Sequence, residues 1–313
     1  MMLFVLKKHW QDLAIAECKA TALNKWWKDK TAAIDGTLLL ASRKKVKKLA
    51  LTRFVVKVLA QCNAKHIQET LAAIPLTALQ GKSYRVVRTI ASSTTELPSE
   101  RELASIVWSR LQNPNVNLKN PQVTLDIVVV KDKAYIGIRT WESLEKFEDR
   151  RAHLRPELHP SSLHPTLARA LVNITCAKSI HDPCCGSGGI LIEAGLAGIR
   201  TSGADIDPGM VLRARRNCQS YGLHPDVRIA DATQWLPRCG AIITDLPYGK
   251  STRPQDLAPL CEAILLRAST ATRKAIIGAP HELHFSGWIV RAKFSIYVHK
   301  SMTRHFWVLE HAR

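Results

Sequence analysis

Residues 179–197 read SIHDPCCGSGGILIEAGLA and decide the fold of the carboxyl-terminal half of the chain. A short predicted strand, Ser179–Asp182, runs into a glycine-rich turn, and an apolar helix, Gly189–Ala197, follows directly. Glycine lets the backbone turn sharply and lie against a ligand at the amino terminus of a helix. A dinucleotide fingerprint would need a glycine at Leu191, and a phosphate loop would end in Gly-Lys-Ser/Thr; neither is present. The sequence therefore predicts either a ligand loop without the pyrophosphate signature or a tight strand–helix turn.

Strands and helices alternate from residue 165 onward, which is typical of a parallel sheet with crossover helices. An aspartate ends or follows each of the first three strands: Asp182, Asp205 and Asp231. The carboxyl ends of parallel strands meet at one edge of a sheet, so these acids predict one cleft that fits a nucleoside. Asp205 is placed to accept both ribose hydroxyls and Asp231 an exocyclic amine. Asp207 competes with Asp205, but Asp207-Pro208 also forms an ordinary helix cap; we favour Asp205.

The fourth strand runs into Thr244-Asp245-Leu246-Pro247-Tyr248. This stretch combines a carboxylate, a carbonyl group and an aromatic face. Methylation of an exocyclic amine needs that combination, because the nitrogen lone pair is conjugated into the base and is barely nucleophilic. Acceptors for the amine hydrogens and a ring that stacks on the base would hold the nitrogen in line. A plain Pro-Tyr turn is the alternative interpretation.

These residues resemble a known family. Asp182–Gly189, Asp205, Asp231 and Asp245–Tyr248 are similar to the motifs of the class I, S-adenosylmethionine-dependent amino-methyltransferases, whose fourth-strand motif is Asp/Asn-Pro-Pro-Tyr/Phe. More narrowly, the chain resembles the archaeal THUMP-domain tRNA guanine-10 N2-methyltransferases nearly from end to end. The segments that carry this narrower resemblance are Arg155-Pro156, Pro160–Pro165, Leu167–Asn173, Gly188–Ala194, His299–Arg304, and Val116–Pro121 with the hairpin after it.

The resemblance implies S-adenosylmethionine (SAM) as the cofactor, no metal, and direct methyl transfer to N2 of a flipped guanine. Tyr248 would stack on the base, and Asp245 with the Leu246 or Pro247 carbonyl would accept the amine hydrogens. The catalytic residues expected are Asp245, Pro247 and Tyr248. The cofactor-binding residues expected are Asp182, Pro183, Cys185, Gly186, Gly188, Asp205, Ile206, Asp231, Ala232 and Asp245.

Two positions depart from the family pattern. Leu246 replaces the usual first proline of the tetrad, which removes neither polar group that the chemistry needs. Cys184 stands where the family more often has an aromatic residue, and Cys185 falls at the family's own cysteine position.

The eight cysteines form no CxxC pair. We therefore expect reduced thiols in a cytoplasmic protein, and we expect neither a disulfide framework nor a zinc site.

The chain is strongly basic, with 45 Lys+Arg against 26 Asp+Glu. Both halves of the chain carry the excess of basic residues, so a single charged tail does not explain it. The excess predicts a polyanionic partner. The densest run, Arg43–Lys48, is expected to contact phosphates, and a solvated helix start is the alternative. Arg304 is expected either to reach RNA near the active site or to form a structural ion pair. The RNA-binding residues expected are Arg43, Lys44, Lys45, Lys47, Lys48 and Arg304.

The predicted architecture is a doubly wound, Rossmann-like class I methyltransferase domain preceded by an α+β region that contains the THUMP domain. The boundaries expected are 1–65 for a ferredoxin-like α+β domain, 66–140 for the THUMP domain, 141–165 for a linker and 166–313 for the methyltransferase domain. Within the first region we expect a helix over Lys47–Leu59, because apolar residues recur there at helical spacing.

The function expected is methylation of N2 of guanosine 10 in tRNA. The open alternatives are another RNA guanine, at tRNA position 6 or in ribosomal RNA, a DNA adenine as a more distant possibility, and a tRNA-binding protein without activity. We expect tRNA as partner, a monomer and no membrane association, since no segment reaches about 18 consecutive apolar residues. The sequence leaves open whether one or two methyl groups are added and whether a small activator protein is required.

Overall fold

The computed structural model describes residues 1–23, 33–34, 37–40, 48–93, 96–159, 162–247, 254–299 and 302–312. The chain divides into two compact units. The first is built from the chain up to Leu144, and the second from Glu145 onward together with residues 19–23 and Lys48–Ala50. A search of the described helices finds none with the length and apolar character needed to cross a bilayer.

The first unit is an α+β structure built on one eight-stranded sheet. Its strands are β1 (Met2–Leu6), β2 (Ala33–Ile34), β3 (Thr37–Leu40), β4 (Thr52–Asn63), β5 (Ser83–Ser92), β6 (Asn115–Val116), β7 (Val123–Val130) and β8 (Lys133–Glu142). Its helices are α1 (Gln11–Leu23), whose last residues belong to the second unit, α2 (Ile67–Ala73) and α3 (Glu100–Ser109). The sheet order is β2-β3-β1-β4-β8-β7-β5-β6. The amino-terminal strands and the predicted hairpin of β7 and β8 therefore share one sheet.

The predicted helix over Lys47–Leu59 is wrong, because this part of the chain contains strand β4. The segment lies between β1 and β8, so Phe54, Val55 and Val56 are buried in succession on both faces of the sheet. A strand buried on both faces has a continuous apolar run that also satisfies helical spacing. Its β-branched valines are the signal that favours a strand.

The second unit has the doubly wound α/β fold that the sequence predicts. Its strands are β9 (Ser179–Asp182), β10 (Arg200–Asp205), β11 (Asp226–Ile229), β12 (Ala241–Asp245), β13 (Lys274–Ala279), β14 (Trp288–His299) and β15 (Met302–His311). Its helices are α4 (Pro165–Thr175), α5 (Gly189–Leu196), α6 (Pro208–Gln219) and α7 (Pro254–Ala271). The sheet order is β11-β10-β9-β12-β13-β15-β14, with the first five strands parallel and the last two antiparallel to their neighbours.

The order of this sheet places a ligand crevice. From β9 the chain proceeds outward to β10 and β11, then returns to the other side of β9 with β12. At such a reversal the crossover connections leave a gap at the carboxyl ends of the strands, where ligands of open α/β sheets bind.

The segment of residues 141–155, expected to be a connecting helix or linker, contains two short 3-10 helices, Phe147–Arg150 and Ala152–Leu154.

A buried cluster of charged side chains holds α5 in place. Glu193 is fully buried, its carboxylate accepts from Arg150 at 2.8 Å, and it lies 3.0 Å from the guanidinium of Arg169 in an ion pair. Arg155 lies against Gly189, where a Cβ atom would be 3.2 Å from a guanidinium nitrogen. These contacts attach the segment before α4, and α4 itself, to the helix that follows the glycine-rich loop.

Candidate active site

Five aspartates, Asp207 among them, line one cavity of about 390 Å³ at the carboxyl edge of the second sheet. Asp182, Asp205 and Asp245 end β9, β10 and β12, and Asp231 lies two residues beyond the end of β11. The structure therefore brings together the acids that the sequence singled out. Pro183, Cys185, Gly186, Ile206, Ala232 and Pro247 line the same cavity.

The glycine-rich loop is closed onto β10 by its own backbone. The N–H of Cys185 donates to the Ala204 carbonyl at 2.8 Å, and that of Gly186 donates to the Asp205 carboxylate at 2.8 Å. Gly188 begins α5 with φ 85°, and a Cβ atom there would lie 3.2 Å from Cα of Ala214 in α6. Gly188 is thus required by the turn and by close helix packing, and it does not itself line the cavity.

Asp205 and Asp231 are held by hydrogen bonds from neighbouring groups. Asp205 accepts from the Gly186 N–H and, at 3.0 Å, from the N–H of Asp207. Asp231 accepts from the N–H and hydroxyl of Thr233 at 2.8 and 2.7 Å and from the Gln234 side chain at 3.2 Å. The Thr233 hydrogen bonds lower the pKa of Asp231. Both carboxylates are oriented acceptors, and Asp231 is ionised at neutral pH.

Asp207 has the capping role that the sequence offered as its alternative. Its carboxylate accepts from the Gly209 N–H at 2.7 Å at the start of α6. Ile206, between the two acids, has 71% of its surface exposed although it is apolar, and it lines the cavity. This pair of side chains suits a nucleoside, because the apolar side chain can pack on the flat base and the oriented carboxylate can accept hydrogen bonds from the ribose hydroxyls.

Asp182 and Asp245 form the deep side of the cavity. Asp182 is 2% exposed, and burial raises its pKa to about 8 although its carboxylate accepts from the Cys184 N–H at 3.2 Å. Burial likewise raises the pKa of Asp245 to about 6. Oδ2 of Asp245 lies 3.2 Å from Arg304, whereas Oδ1 has no hydrogen-bond partner among the described residues.

Leu246, the departure from the family tetrad, is completely buried. Its N–H donates to the Gly278 carbonyl at 2.8 Å and so extends the pairing of β12 with β13 by one residue. Proline could not make this hydrogen bond because it has no N–H. Pro247 follows as an exposed residue in the cavity wall, and Tyr248 lies outside the described residues.

The thiols in the loop are not nucleophiles. Burial raises the pKa of Cys185, and the nearby Asp182 and Asp205 raise it further. The same causes raise the pKa of Cys184. A thiol that stays protonated at neutral pH is a poor nucleophile, in agreement with direct transfer. Within the described part of the chain, no group of three or more His, Cys, Asp or Glu residues could hold a metal ion.

The residues expected to bind RNA fall into three groups. Arg43, Lys44, Lys45 and Lys47 lie outside the described residues. The Lys48 ammonium donates to the Leu196 carbonyl at 2.7 Å, at the end of α5, which gives it a structural partner. Arg304 pairs with Asp245, so its position agrees with the structural alternative that the sequence left open.

Sequence reasoning missed part of the cavity wall. His159, Ser162 and Leu163 line the cavity from the segment before α4, and Met210 and Leu260 line it from α6 and α7. The hydroxyl groups of Ser162 and Ser187 lie 2.7 Å apart, which joins this segment to the glycine-rich loop. The family pattern around Pro160–Pro165 was the only signal for it, since no spacing rule links residues this far from the loop.

Comparison with known proteins agrees with this geometry. A family model for an RMKL-like methyltransferase domain matches residues 152–295, and one for the THUMP domain matches residues 62–139. The crystal structure of TrmN from Thermus thermophilus covers 99% of both chains with a TM-score of 0.55 at 20% identity, which shows the fold. The fold and the site thus define a SAM-dependent methyltransferase that carries a THUMP domain.

The family follows from curated relatives. The tRNA (guanine(10)-N2)-dimethyltransferase of Methanothermobacter thermautotrophicus is 32% identical over 282 residues, which are 84% of this chain and 84% of the relative. The protein of the same name from Pyrococcus abyssi is 36% identical over 227 residues, covering 67% of this chain and 68% of the relative. This chain belongs to the family of the archaeal tRNA (guanine(10)-N2)-dimethyltransferases, which confirms the family and fold class predicted from the sequence.

Proposed function

We propose that the protein transfers methyl groups from SAM to N2 of guanosine 10 in tRNA, twice in succession. The observation that carries the proposal is Asp245, a largely buried carboxylate in the wall of the cofactor cavity whose Oδ1 accepts no hydrogen bond from the described residues. An unsatisfied buried acceptor is costly, and such groups in native proteins need a reason. An amine donor on a substrate supplies one.

The cavity fits SAM. Its volume of about 390 Å³ is within the range of small-molecule sites, and it has both oriented acceptors and apolar walls. Asp205 would hold the ribose hydroxyls, Asp231 the adenine amine and Ile206 one face of the adenine. The turn at Gly186 would lie against the amino acid part. Bound SAM would supply an electrophilic methyl group on a positively charged sulfur, and the ionised carboxylates of the cavity favour that charge.

Asp245 would perform the chemistry at the acceptor nitrogen. A carboxylate oxygen that accepts an N–H of guanine N2 draws the nitrogen toward a pyramidal shape and frees its lone pair for attack. The neighbouring carbonyl of Leu246 or Pro247 is the proposed second acceptor, and Tyr248 the proposed stacking partner of the flipped base. The closed, largely buried wall at Asp245 excludes water and makes each polar contact stronger than it would be in solvent.

The THUMP domain and the basic charge support tRNA as the substrate, and the curated relatives carry guanosine 10 and dimethylation in their names. Arg43, Lys44, Lys45, Lys47 and Lys48 are the proposed phosphate contacts. We further propose the domain division 1–65, 66–140, 141–165 and 166–313, a monomer, and a cytoplasmic location. The eight free cysteines support that location, since disulfides are rare where thiols are kept reduced.

Methyl incorporation into two tRNA transcripts tests the proposal. The protein is incubated with labelled SAM and either an unmodified transcript or one with adenosine in place of guanosine at position 10. Label in the first transcript alone is expected, with dimethylguanosine as the final product by mass spectrometry. Equal label in both would move the target to another guanine. No label together with no calorimetric SAM binding would indicate a tRNA-binding protein without activity.

A further inference from the structure

Arg304 on β15 reaches the carboxylate of Asp245 past the end of β13. In the sheet, Asp245 pairs with Gly278 and Gly278 pairs with Phe306. Arg304 precedes Phe306 by two residues, so both side chains leave β15 on the same face. Nη1 of Arg304 lies 3.2 Å from Oδ2 of Asp245, and the two side chains are 8% and 10% exposed. The pair is therefore largely shielded from solvent.

Gly278 leaves the space in which the carboxylate lies. A Cβ atom at this position would be 2.7 Å from Oδ1 of Asp245 and 2.5 Å from Cε1 of Phe306. Both distances are well inside van der Waals contact, so any side chain there would displace the carboxylate or the ring. The close approach of these three residues fixes where the carboxylate can lie.

The two oxygens of this carboxylate have different surroundings. Oδ2 is engaged by the guanidinium, and Oδ1 has no partner among the described residues while the side chain lines the cavity. Oδ1 is also shielded from solvent and lies against Gly278, so the ion pair and this packing together fix the direction of the whole carboxylate in the cavity wall. The arrangement suits an acid that must receive a hydrogen from a ligand.

The charge of Arg304 acts on the protonation of Asp245. Burial raises the pKa of Asp245 to about 6, and the guanidinium opposes that rise. Within the described residues, the other charged group that faces it is Asp182, and the charge of Asp245 helps to raise the pKa of Asp182 to about 8. Two acids that disfavour each other's charge in a buried wall need a cation for Asp245 to stay ionised at neutral pH.

We propose that Arg304 is a positioning residue, which holds the carboxylate of Asp245 in the cavity wall and keeps it ionised so that it can accept hydrogen from the target amine. This inference rests on the proposed function. Transfer forms the bond from N2 to the methyl carbon and breaks the bond from that carbon to sulfur, whose electron pair remains on the thioether. The nitrogen then carries one proton too many, and the Asp245 carboxylate takes it, which only its ionised form can do.

The test is the pH dependence of single-turnover methyl transfer in the full-length wild-type protein, Arg304→Gln and Arg304→Lys, from about pH 5 to 9. SAM is kept saturating at each pH, so that the titration of Asp182 in the cofactor cavity does not limit the rate. In Arg304→Gln the pKa seen in the rate is expected to rise by about one unit or more, because the opposing cation is gone. A rise of one unit from about 6 lowers the ionised fraction of Asp245 at pH 7 about twofold, so the rate at neutral pH is expected to fall at least about twofold and to recover at high pH. Arg304→Lys keeps the charge and is expected to restore most of the wild-type pKa.

Two results would overturn the inference. A rate that falls by the same factor at every pH would mean that Arg304 acts through the fold alone. A weaker affinity for tRNA with an unchanged pH profile would mean that Arg304 contacts RNA phosphate. If Arg304→Gln does not fold, Arg304→Met, which keeps the apolar part of the side chain without the charge, is measured in its place. Should neither neutral variant fold, a pH profile of Arg304→Lys that has lost the wild-type step would also contradict the inference.

Failure of the proposed function looks different. Wild-type protein that transfers no methyl group to tRNA would remove the reaction itself, and Asp245→Asn with unchanged turnover would remove the role of Asp245. Neither result depends on Arg304. The inference about Arg304 fails separately when wild type is active and sensitive to Asp245→Asn while its pH profile does not respond to the Arg304 variants.

Discussion

The outer and inner acids of the cavity have opposite surroundings. On the outer side, Asp205 and Asp231 are partly exposed and accept two or more hydrogen bonds from nearby groups. On the inner side, Asp182 and Asp245 are largely buried, and burial raises their pKa values to about 8 and about 6. This difference shows that an aspartate at the end of a strand cannot be given a role in the site from its residue type and position alone. In the proposed reaction, the surroundings of each carboxylate separate the acids that bind SAM from the one that accepts hydrogen from the substrate.

A third kind of buried acid sharpens this contrast. Glu193 is completely buried like Asp182, yet its carboxylate is paired with both Arg150 and Arg169 and lies outside the cavity. Glu193→Ala leaves two guanidinium groups without this partner, and the free energy of unfolding is expected to fall by about 3–5 kcal/mol. Chemical denaturation measures it. Glu262→Ala on the exposed side of α7 is the control, with a change within about 0.5 kcal/mol. A loss as small as the control's would contradict a structural role for the Glu193 cluster.

Asp245→Ala is expected to lower the rate of methyl transfer at least about 100-fold, the scale of a removed transition-state contact. Affinity for SAM, measured by calorimetry, is expected to stay within about tenfold of wild type, because the cofactor contacts lie on the other acids. Asp245→Asn is the matched variant, since it keeps the shape and still offers Arg304 an oxygen. Unchanged turnover in both variants would remove Asp245 from the reaction.

Asp231→Ala is expected to have the reverse effect of Asp245→Ala, with a loss of SAM affinity and little loss of transfer rate. Affinity for SAM falls about tenfold, the cost of one hydrogen bond to a charged acceptor, and the transfer rate at saturating SAM stays within about threefold. Thr233→Val is the control, because it removes one hydrogen bond that orients Asp231 and keeps the carboxylate. A rate loss as large as the affinity loss would show that the outer acids also take part in the chemistry.

The pH dependence of the wild-type transfer rate also distinguishes the outer acids from the inner acids. Near neutral pH this change in rate is expected to be smaller than the changes caused by the variants above. Asp245 must be ionised to accept hydrogen, and its pKa is raised to about 6, so transfer is expected to slow as the pH falls through that value. Asp231 has a lowered pKa and stays ionised over this range, so its contact with SAM is expected to persist. A rate that stays flat from neutral pH to well below 6 would contradict the assignment of Asp245.

The sequence predicts the outer side of the site better than the inner side. Asp182 and Asp205 end their strands and Asp231 follows its strand, at the spacing of a strand–helix repeat, so local pattern alone brings them to one sheet edge. The partnership of Asp245 with Arg304 joins residues far apart in the chain. It exists because β15 runs antiparallel beside β13, a placement that no local pattern specifies.

The failed helix prediction at β4 and the missed Ser162 have the same cause. β4 is central in its sheet, so burial of Phe54, Val55 and Val56 on both faces hides the strand alternation. Ser162 reaches the cavity through Ser187, and only the path of the folded chain puts these hydroxyl groups together. Where tertiary contacts set the environment of a residue, its sequence pattern is ambiguous.

The double variant Asp231→Ala/Asp245→Ala tests the central claim most directly, because binding and chemistry are measured on one protein. Calorimetric SAM affinity and single-turnover transfer to tRNA are compared among wild type, both single variants and the double variant. If the two acids act separately, the double variant has the affinity of Asp231→Ala and the rate of Asp245→Ala, each within about threefold. A double variant no worse in rate than Asp231→Ala, or one whose affinity loss far exceeds that of Asp231→Ala, would contradict separate roles for the outer and inner acids.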